Sequence, residues 1–137
     1  MDKVSVVVPV FNEEKTLPNF LNQMEGLSAD EVVLVDGGSR DQTGDILQKW
    51  SKAQSGRCRR VLSSASKGRA NQMNEGGREA TGDILLFLHA DSTFPPNGVD
   101  AILEALHPSS VVGGAFCLKI DSPVFFLKVV SMMANLR

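Results

Sequence analysis

Two near-continuous runs of β-branched residues constrain the fold more than any other feature of this sequence. The first reads VSVVVPV, Val4 to Val10, and the second reads EVVLVDG, Glu31 to Gly37. Apolar runs of this kind suit strands that are buried on both faces, as in a parallel sheet. Apolar residues at helical spacing lie between the two runs, namely Leu17, Phe20, Leu21, Met24 and Leu27. The sequence therefore predicts strand, helix and strand, joined as a parallel crossover.

The same alternation continues through the middle of the chain. The segment GSRDQTGDILQKW predicts a second helix, with Ser39 or Asp41 as its N-cap. A short strand around RRVLSS, residues 59–64, comes next, and a helix from about Lys67 to Ala80 follows it. Helices that alternate with strands in this way are typical of α/β proteins.

Three further elements complete the prediction. GDILLFLHAD, residues 82–91, reads as a fourth strand, and Val99 to Leu106 as a fourth helix. In GGAFCLKI, residues 113–120, apolar residues alternate as in a half-exposed fifth strand. The order predicts one α/β domain over residues 1–137, with a Rossmann-like, doubly wound and mostly parallel sheet.

Composition narrows the class of protein. The chain has 137 residues, 42% of them apolar, and a formal net charge of −2, so nothing in its overall balance indicates a nucleic-acid partner. Its cysteines, Cys58 and Cys117, lack the short spacing of a metal motif, and two free thiols favour a reducing, cytoplasmic compartment. No run approaches the roughly 20 apolar residues of a membrane-spanning helix.

Polar and acidic residues follow three of the predicted strands. Glu13 comes after the first strand, Asp36 ends the second, and His89 and Asp91 end the fourth. In open parallel sheets, ligands bind beyond the carboxyl ends of the strands, so these side chains are expected at one edge. We therefore expect the binding site there.

Each of these residues has more than one interpretation. An acid such as Glu13 in a first helical turn also favours the helix dipole. The cations Lys67 and Arg69 can pair with acids or with a phosphate. Asp91, a lone carboxylate, can bind Mg²⁺ or Mn²⁺ when phosphates supply the remaining ligands. His89 is a metal ligand, a hydrogen-bond donor or a half-buried imidazole.

Four ordered motifs together resemble family 2 glycosyltransferases, which have the GT-A nucleotide-diphospho-sugar transferase fold. They read PVFNE, VDGGSRDQT, KGRANQMNEGG and ATGDILLFLHAD, and the resemblance covers residues 4 to about 120. The HAD and VGGAF variants look most like a bacterial subgroup of the family. The resemblance implies transfer of a sugar from a UDP- or GDP-linked donor to a hydroxyl acceptor, in an inverting reaction assisted by a metal.

 

Inversion here refers to the configuration at the anomeric carbon of the transferred sugar. The nucleotide-binding positions that the resemblance implies are Pro9, Phe11, Glu13, Asp36, Lys67, Arg69 and His89. Of these, Pro9, Phe11 and Glu13 would line the base and ribose, and Asp36 would hydrogen-bond the base. Asp91, the last acid of the family's D-x-D motif, would coordinate the Mg²⁺ or Mn²⁺ ion that bridges the diphosphate.

The sequence departs from the family pattern at two motif positions and in length. His89 stands where the family has the first acid of D-x-D, and Gly37 where it has the second acid of D-D-G-S. The family's general base, an acid, is expected beyond Arg137, so the chain is interpreted as truncated before the acceptor region. The catalytic base therefore stays unassigned.

Two other functions remain open at this point. HADST is similar to the D-x-D-x-T motif of haloacid dehalogenase-type phosphatases, although His89 takes the place of their nucleophile. A non-catalytic nucleotide-binding fragment or scaffold is the second alternative. The apolar segment Val124 to Leu136 needs a cover, which the missing region, a second copy of the chain or a membrane surface would provide.

Overall fold

The structure is a computed structural model that describes residues 2–53, 57–107, 110–123 and 125–135. The chain divides into two compact units, Met1–Glu104 and Ala105–Arg137, which are described separately. The elements are β1 Val4–Val10, α1 Leu17–Glu25, β2 Glu31–Asp36, α2 Thr43–Lys52, β3 Cys58–Ser63, α3 Arg69–Glu79, β4 Ile84–Phe87, α4 Gly98–Leu106 and α5 Phe125–Ala134. The expectation of a single domain stays a prediction.

The four strands form one parallel sheet in the order β3-β2-β1-β4. In the register, Val10 at the end of β1 lies opposite Asp36 at the end of β2, and Asp36 lies opposite Ser63 of β3. On the other side of β1, Val7 lies opposite Phe87. The predicted α/β class with a parallel sheet is therefore confirmed.

The sheet is buried on both faces by different means. On one face, the valines of β1 pack with apolar residues of α1 and α2, including Leu17, Met24 and Leu47. On the other face, Val7, Val33 and Val35 form a smaller cluster beneath α3. This two-sided burial is the physical reason that β1 and β2 carry continuous apolar runs.

Helix α3 approaches the sheet closely because Gly76 faces it. A Cβ atom at Gly76 would lie 2.5 Å from Cγ1 of Val7 and 2.9 Å from Cγ2 of Val35. The buried residues of this helix are Gln72 and Gly76, one turn apart. The helix therefore packs through an amide and a glycine rather than through an apolar stripe.

The predicted fifth strand, residues 113–120, is wrong. This segment has no regular secondary structure, and within its own unit the backbone of Leu118 bonds side chains in α5 and just after it. The amide of Leu118 donates to Oδ1 of Asn135 at 2.7 Å, and its carbonyl accepts from Oγ of Ser131 at 2.6 Å. Side-chain bonds of this kind replace the ladder that a strand would need.

The prediction of a Ser39 cap on α2 is also wrong. The helix begins at Thr43 after Gln42, and the hydroxyl of Ser39 bonds Asp36 rather than the helix. Oδ1 of Asp41 accepts the amide of Thr43 at 3.0 Å, just ahead of the helix. Among the described residues, no helix has both the length and the apolar character needed to cross a membrane.

Candidate functional site

The loops after β1 and β2 are tied together at the carboxyl edge of the sheet. The amide of Asn12 donates to Oγ of Ser39 at 2.9 Å, and Oδ1 of Asn12 accepts the amide of Arg40 at 2.8 Å. The amide of Glu13 donates to Oγ1 of Thr43 at 2.8 Å. These bonds fix the two loops as one rigid rim, since each loop satisfies backbone groups of the other.

A cleft of about 380 Å³ opens beside this rim. Its lining comes from the end of β1, from the start of α3 and from the loops that adjoin them: Pro9, Val10, Phe11, Glu13, Gly37, Lys67, Gly68, Arg69 and Gln72. The structure thus brings together five of the eight residues predicted for binding. Phe11 is 53% exposed, so its ring is available to a flat ligand.

Two cations and a helix start line the α3 side of the cleft. Lys67 and Arg69 are both exposed, and within the described part of the chain no carboxylate lies within 4.0 Å of either. Gly68, at a φ of 108°, lies between them in sequence and is the N-cap residue of α3. The first amides of a helix have no intrahelical acceptor, so this corner of the cleft favours an anion.

Asp36 adjoins the cleft without lining it. Its Oδ1 accepts two hydrogen bonds from Ser39, one from the amide at 3.0 Å and one from the hydroxyl at 2.6 Å. Among the described residues, none donates to its Oδ2. Asp36 therefore holds the rim through Oδ1 alone.

His89 and Asp91 lie at the same edge of the sheet, on the β4 side, and outside the cleft lining. The amide of Leu88 still donates to the carbonyl of Val7 at 3.1 Å, so the parallel register continues toward Pro9. The amide of Ser92 donates to the carbonyl of His89 at 3.0 Å, which forms a turn with Asp91 exposed. Both residues thus follow β4, the strand that adjoins β1.

The donor set at this turn fits a shared cation rather than a self-contained metal site. The described residues contain no group of three or more His, Cys, Asp or Glu that could hold a metal ion. Nδ1 of His89 is buried without a described partner. Mg²⁺ commonly binds one or two carboxylates and takes its other ligands from water and phosphates, so exposed Asp91 fits that arrangement.

The opposite edge of the sheet carries a buried acid with a structural role. Glu31 is 2% exposed, and its Oε2 accepts from Oγ of Ser5 at 2.5 Å and from the amide of Thr81 at 2.8 Å. Burial alone would raise the pKa of Glu31, but these bonds and the charge of Arg60 outweigh it and hold the pKa below its usual value. This group therefore ties β1, β2 and the segment before β4 together at the amino edge of the sheet.

A comparison with protein families decides the assignment. The family model described as "Glycosyl transferase family 2" matches residues 5–128, a range that includes the cleft and the turn at Asp91. The chain belongs to glycosyl transferase family 2. The phosphatase interpretation of HADST loses its support, since that segment lies within the matched range.

Curated relatives of this chain are sugar transferases by name. The undecaprenyl-phosphate 4-deoxy-4-formamido-L-arabinose transferase of Pseudomonas aeruginosa is 33% identical over 128 residues, 89% of this chain and 38% of the relative. The enzyme of the same name from Sodalis glossinidius is 32% identical over 141 residues, 98% of this chain and 43% of the relative. The chain thus spans about two fifths of the length of these relatives.

Solved structures of the same fold carry nucleotides. The mannosyltransferase PcManGT from Pyrobaculum calidifontis, in complex with GDP-Man and Mn²⁺, has a TM-score of 0.77 at 26% identity, over 87% of this chain and 36% of that one. S. aureus TarS 1-349, in complex with UDP, has a TM-score of 0.65 at 26% identity, over 77% and 33%. The GT-A fold expected from the resemblance is therefore confirmed.

Sequence reasoning missed Gln72, which is 4% exposed and forms part of the cleft. Its Nε2 donates to the carbonyl of Val10 at 2.9 Å and to that of Val35 at 2.7 Å, so one amide joins the ends of β1 and β2. The available signal was its spacing of four residues before Gly76, on the helix face that meets the sheet.

Proposed function

We propose that the chain forms the donor-binding part of a family 2 glycosyltransferase, which moves a sugar from a nucleoside-diphosphate sugar to a hydroxyl acceptor. The observation that carries this proposal is the cleft itself, with exposed Phe11 on one side and the exposed cations Lys67 and Arg69 on the other. A nucleoside diphosphate has the matching chemistry, a flat base and a charged tail. The GDP-Man and UDP complexes of the similar structures support it.

In this proposal, the nucleoside lies against Pro9, Phe11 and Glu13. The free Oδ2 of Asp36 accepts a hydrogen bond from the base, and the diphosphate lies near Lys67 and Arg69. Asp91 would hold Mg²⁺ or Mn²⁺ together with the diphosphate, with His89 beside it. A cation bound there neutralises part of the charge on the leaving group.

The transfer is a displacement at the anomeric carbon with inversion of configuration. The acceptor oxygen forms a bond to that carbon while the bond to the diphosphate oxygen breaks, and the acceptor proton passes to a base. Lys67 and Arg69 stabilise the negative charge that develops on the departing diphosphate. We expect the base in the part of the complete enzyme that corresponds to the remaining length of its relatives.

The relatives also indicate the kind of acceptor that receives the sugar and where the enzyme acts. Relatives named for undecaprenyl phosphate support an acceptor at a membrane surface, so we propose a cytoplasmic enzyme that contacts the inner face of the membrane. Exposed apolar residues of the second unit, including Val112, Met132 and Met133, are consistent with such a contact or with self-association. Val124 and Leu136, at the limits of the predicted apolar segment, lie outside the described residues.

A nucleotide-binding fragment without turnover is the second candidate, because the chain spans only 38% to 43% of these relatives. The two candidates share the donor site, so calorimetry with UDP and GDP, with and without Mn²⁺, tests both. Binding that strengthens with the cation, and that loses this gain in Asp91→Asn, is the expected result. No binding of either nucleotide would contradict both candidates. Sugar transfer by a longer version of the gene would separate them.

A further inference from the structure

We propose that Gln72 binds the ligand directly, through a hydrogen bond from the nucleoside to its Oε1. The inference rests on the proposed function and adds a residue that the family motifs do not assign. Gln72 lines the cleft and is 4% exposed.

The orientation of this amide is fixed by its donor side. Nε2 has two protons, and it donates to two backbone carbonyls, those of Val10 and Val35. A flipped amide would place Oε1 against both carbonyls, with no donor for either. Because both protons are used, Oε1 is the part of the group that remains for a partner.

The amide group as a whole lies over Gly37, another residue of the cleft lining, with Nε2 3.0 Å from the position of a Cβ atom there. A Cβ atom at Gly37 would lie 2.9 Å from Oε1 and 2.9 Å from Cδ of Gln72. The fully buried side-chain atoms without a partner, in the part of the chain that the structure describes, are Nε of Arg59 and Nδ1 of His89. Oε1 of Gln72 accepts no described hydrogen bond, and yet it is not one of these fully buried atoms. It is therefore partly accessible, and the cleft that Gln72 lines gives that access.

This arrangement also explains a departure from the family pattern. Gly37 stands where the family has the second acid of D-D-G-S, and the amide of Gln72 occupies the space that any side chain there would need. A neutral acceptor therefore replaces a carboxylate at the cleft floor. The group that it recognises is a donor of the nucleoside, either the base N–H, which it would share with Asp36, or the ribose 2′-hydroxyl.

The test is a cycle between protein and ligand variants, measured by NMR titration. Three ligands are titrated: UDP, N3-methyl-UDP and 2′-deoxy-UDP. Each is added to the wild type, to Gln72→Met and to the matched control Gln48→Met, which changes an exposed position of α2. We expect Gln72→Met to weaken UDP binding about three- to tenfold, as the loss of one hydrogen bond does. The same substitution should have a much smaller effect on the analogue that lacks the donor. That analogue then shows whether the donor is on the base or on the ribose.

A second variant protects the test against a fold defect. Gly37→Ala keeps Gln72 but pushes its amide aside, and the φ of Gly37 is not in the left-handed region, so the backbone accepts alanine. It should reproduce the selective loss. Equal weakening of all three ligands by both variants would show a structural role and overturn this inference alone. A wild type that binds none of them would overturn the proposed function as well.

Discussion

The amide of Asn12 donates a 2.9 Å hydrogen bond to Oγ of Ser39, and this contact joins two loops that are far apart in sequence. The same hydroxyl donates to Oδ1 of Asp36 at 2.6 Å. Ser39 therefore connects the residue after Phe11 to the acid at the end of β2. These two hydrogen bonds hold the rim of the cleft together.

Asn12 adopts a φ of 53°, in the left-handed region, which strains most side chains. We expect Asn12→Ala to lower the free energy of unfolding by about 1–2 kcal/mol, through strain and the lost bond to Arg40. Asn12→Gly should cost less, because glycine accepts this φ. Urea denaturation of the pair measures the difference, and equal losses would contradict a role for the backbone conformation.

The close approach of α3 to the sheet predicts a large effect at Gly76. Gly76→Ala would place a methyl group 2.5 Å from Val7, so we expect a loss of about 1–3 kcal/mol. Gly44→Ala is the matched control on α2, where nothing lies within 4 Å, and it should stabilise the protein by about 0.5–1 kcal/mol. Chemical denaturation that gave both variants the same stability would argue against this packing.

The lowered pKa of Glu31 predicts a dependence of stability on pH. Because the pKa is lower in the folded state, ionised Glu31 stabilises the fold above its unfolded pKa of about 4.3, and this contribution disappears as the pH falls through the folded pKa. The melting temperature should therefore fall below about pH 5. Glu31→Gln should flatten that fall, whereas the exposed control Glu104→Gln should not. Identical profiles for the two variants would count against the assignment.

Because Lys67 and Arg69 line the cleft, we expect nucleotide binding to depend on the phosphates of the ligand. Lys67→Gln and Arg69→Gln should each weaken UDP binding about three- to tenfold at low salt, and should weaken uridine binding much less. The difference should shrink at high salt because exposed charges are screened. Titration of both ligands at two salt concentrations measures it, with Lys49→Gln on α2 as the control. Equal effects on uridine and UDP would remove the diphosphate from this corner.

Patterns of burial and strand-end chemistry were readable from the sequence. The runs at Val4 and Glu31 became β1 and β2, because a strand covered on both faces needs apolar side chains at every position. Pro9 and Arg69 could be placed near one edge because parallel strands point the same way. The roles of these residues in binding stay predictions.

Long-range partners were not readable. The alternation in residues 113–120 suggested a strand, but a strand also needs a neighbour, and Leu118 bonds Asn135 and Ser131 instead. Ser39 fits the pattern of a helix cap equally well, and only the folded chain shows that it bonds Asp36. The position of Gln72 could not be predicted because its amide is held by two carbonyls that are distant in sequence, those of Val10 and Val35.

Mapping of amide chemical shifts during titration with UDP and Mg²⁺ tests most directly whether the carboxyl ends of the strands form a nucleotide site. The expected result is that shifts concentrate at Phe11, Gly37, Gly68 and Asp91, while Ser5 and Thr81 at the opposite edge stay unchanged. Saturable shifts confined to that opposite edge, or an absence of shifts at the cleft in a folded protein, would contradict a donor site there.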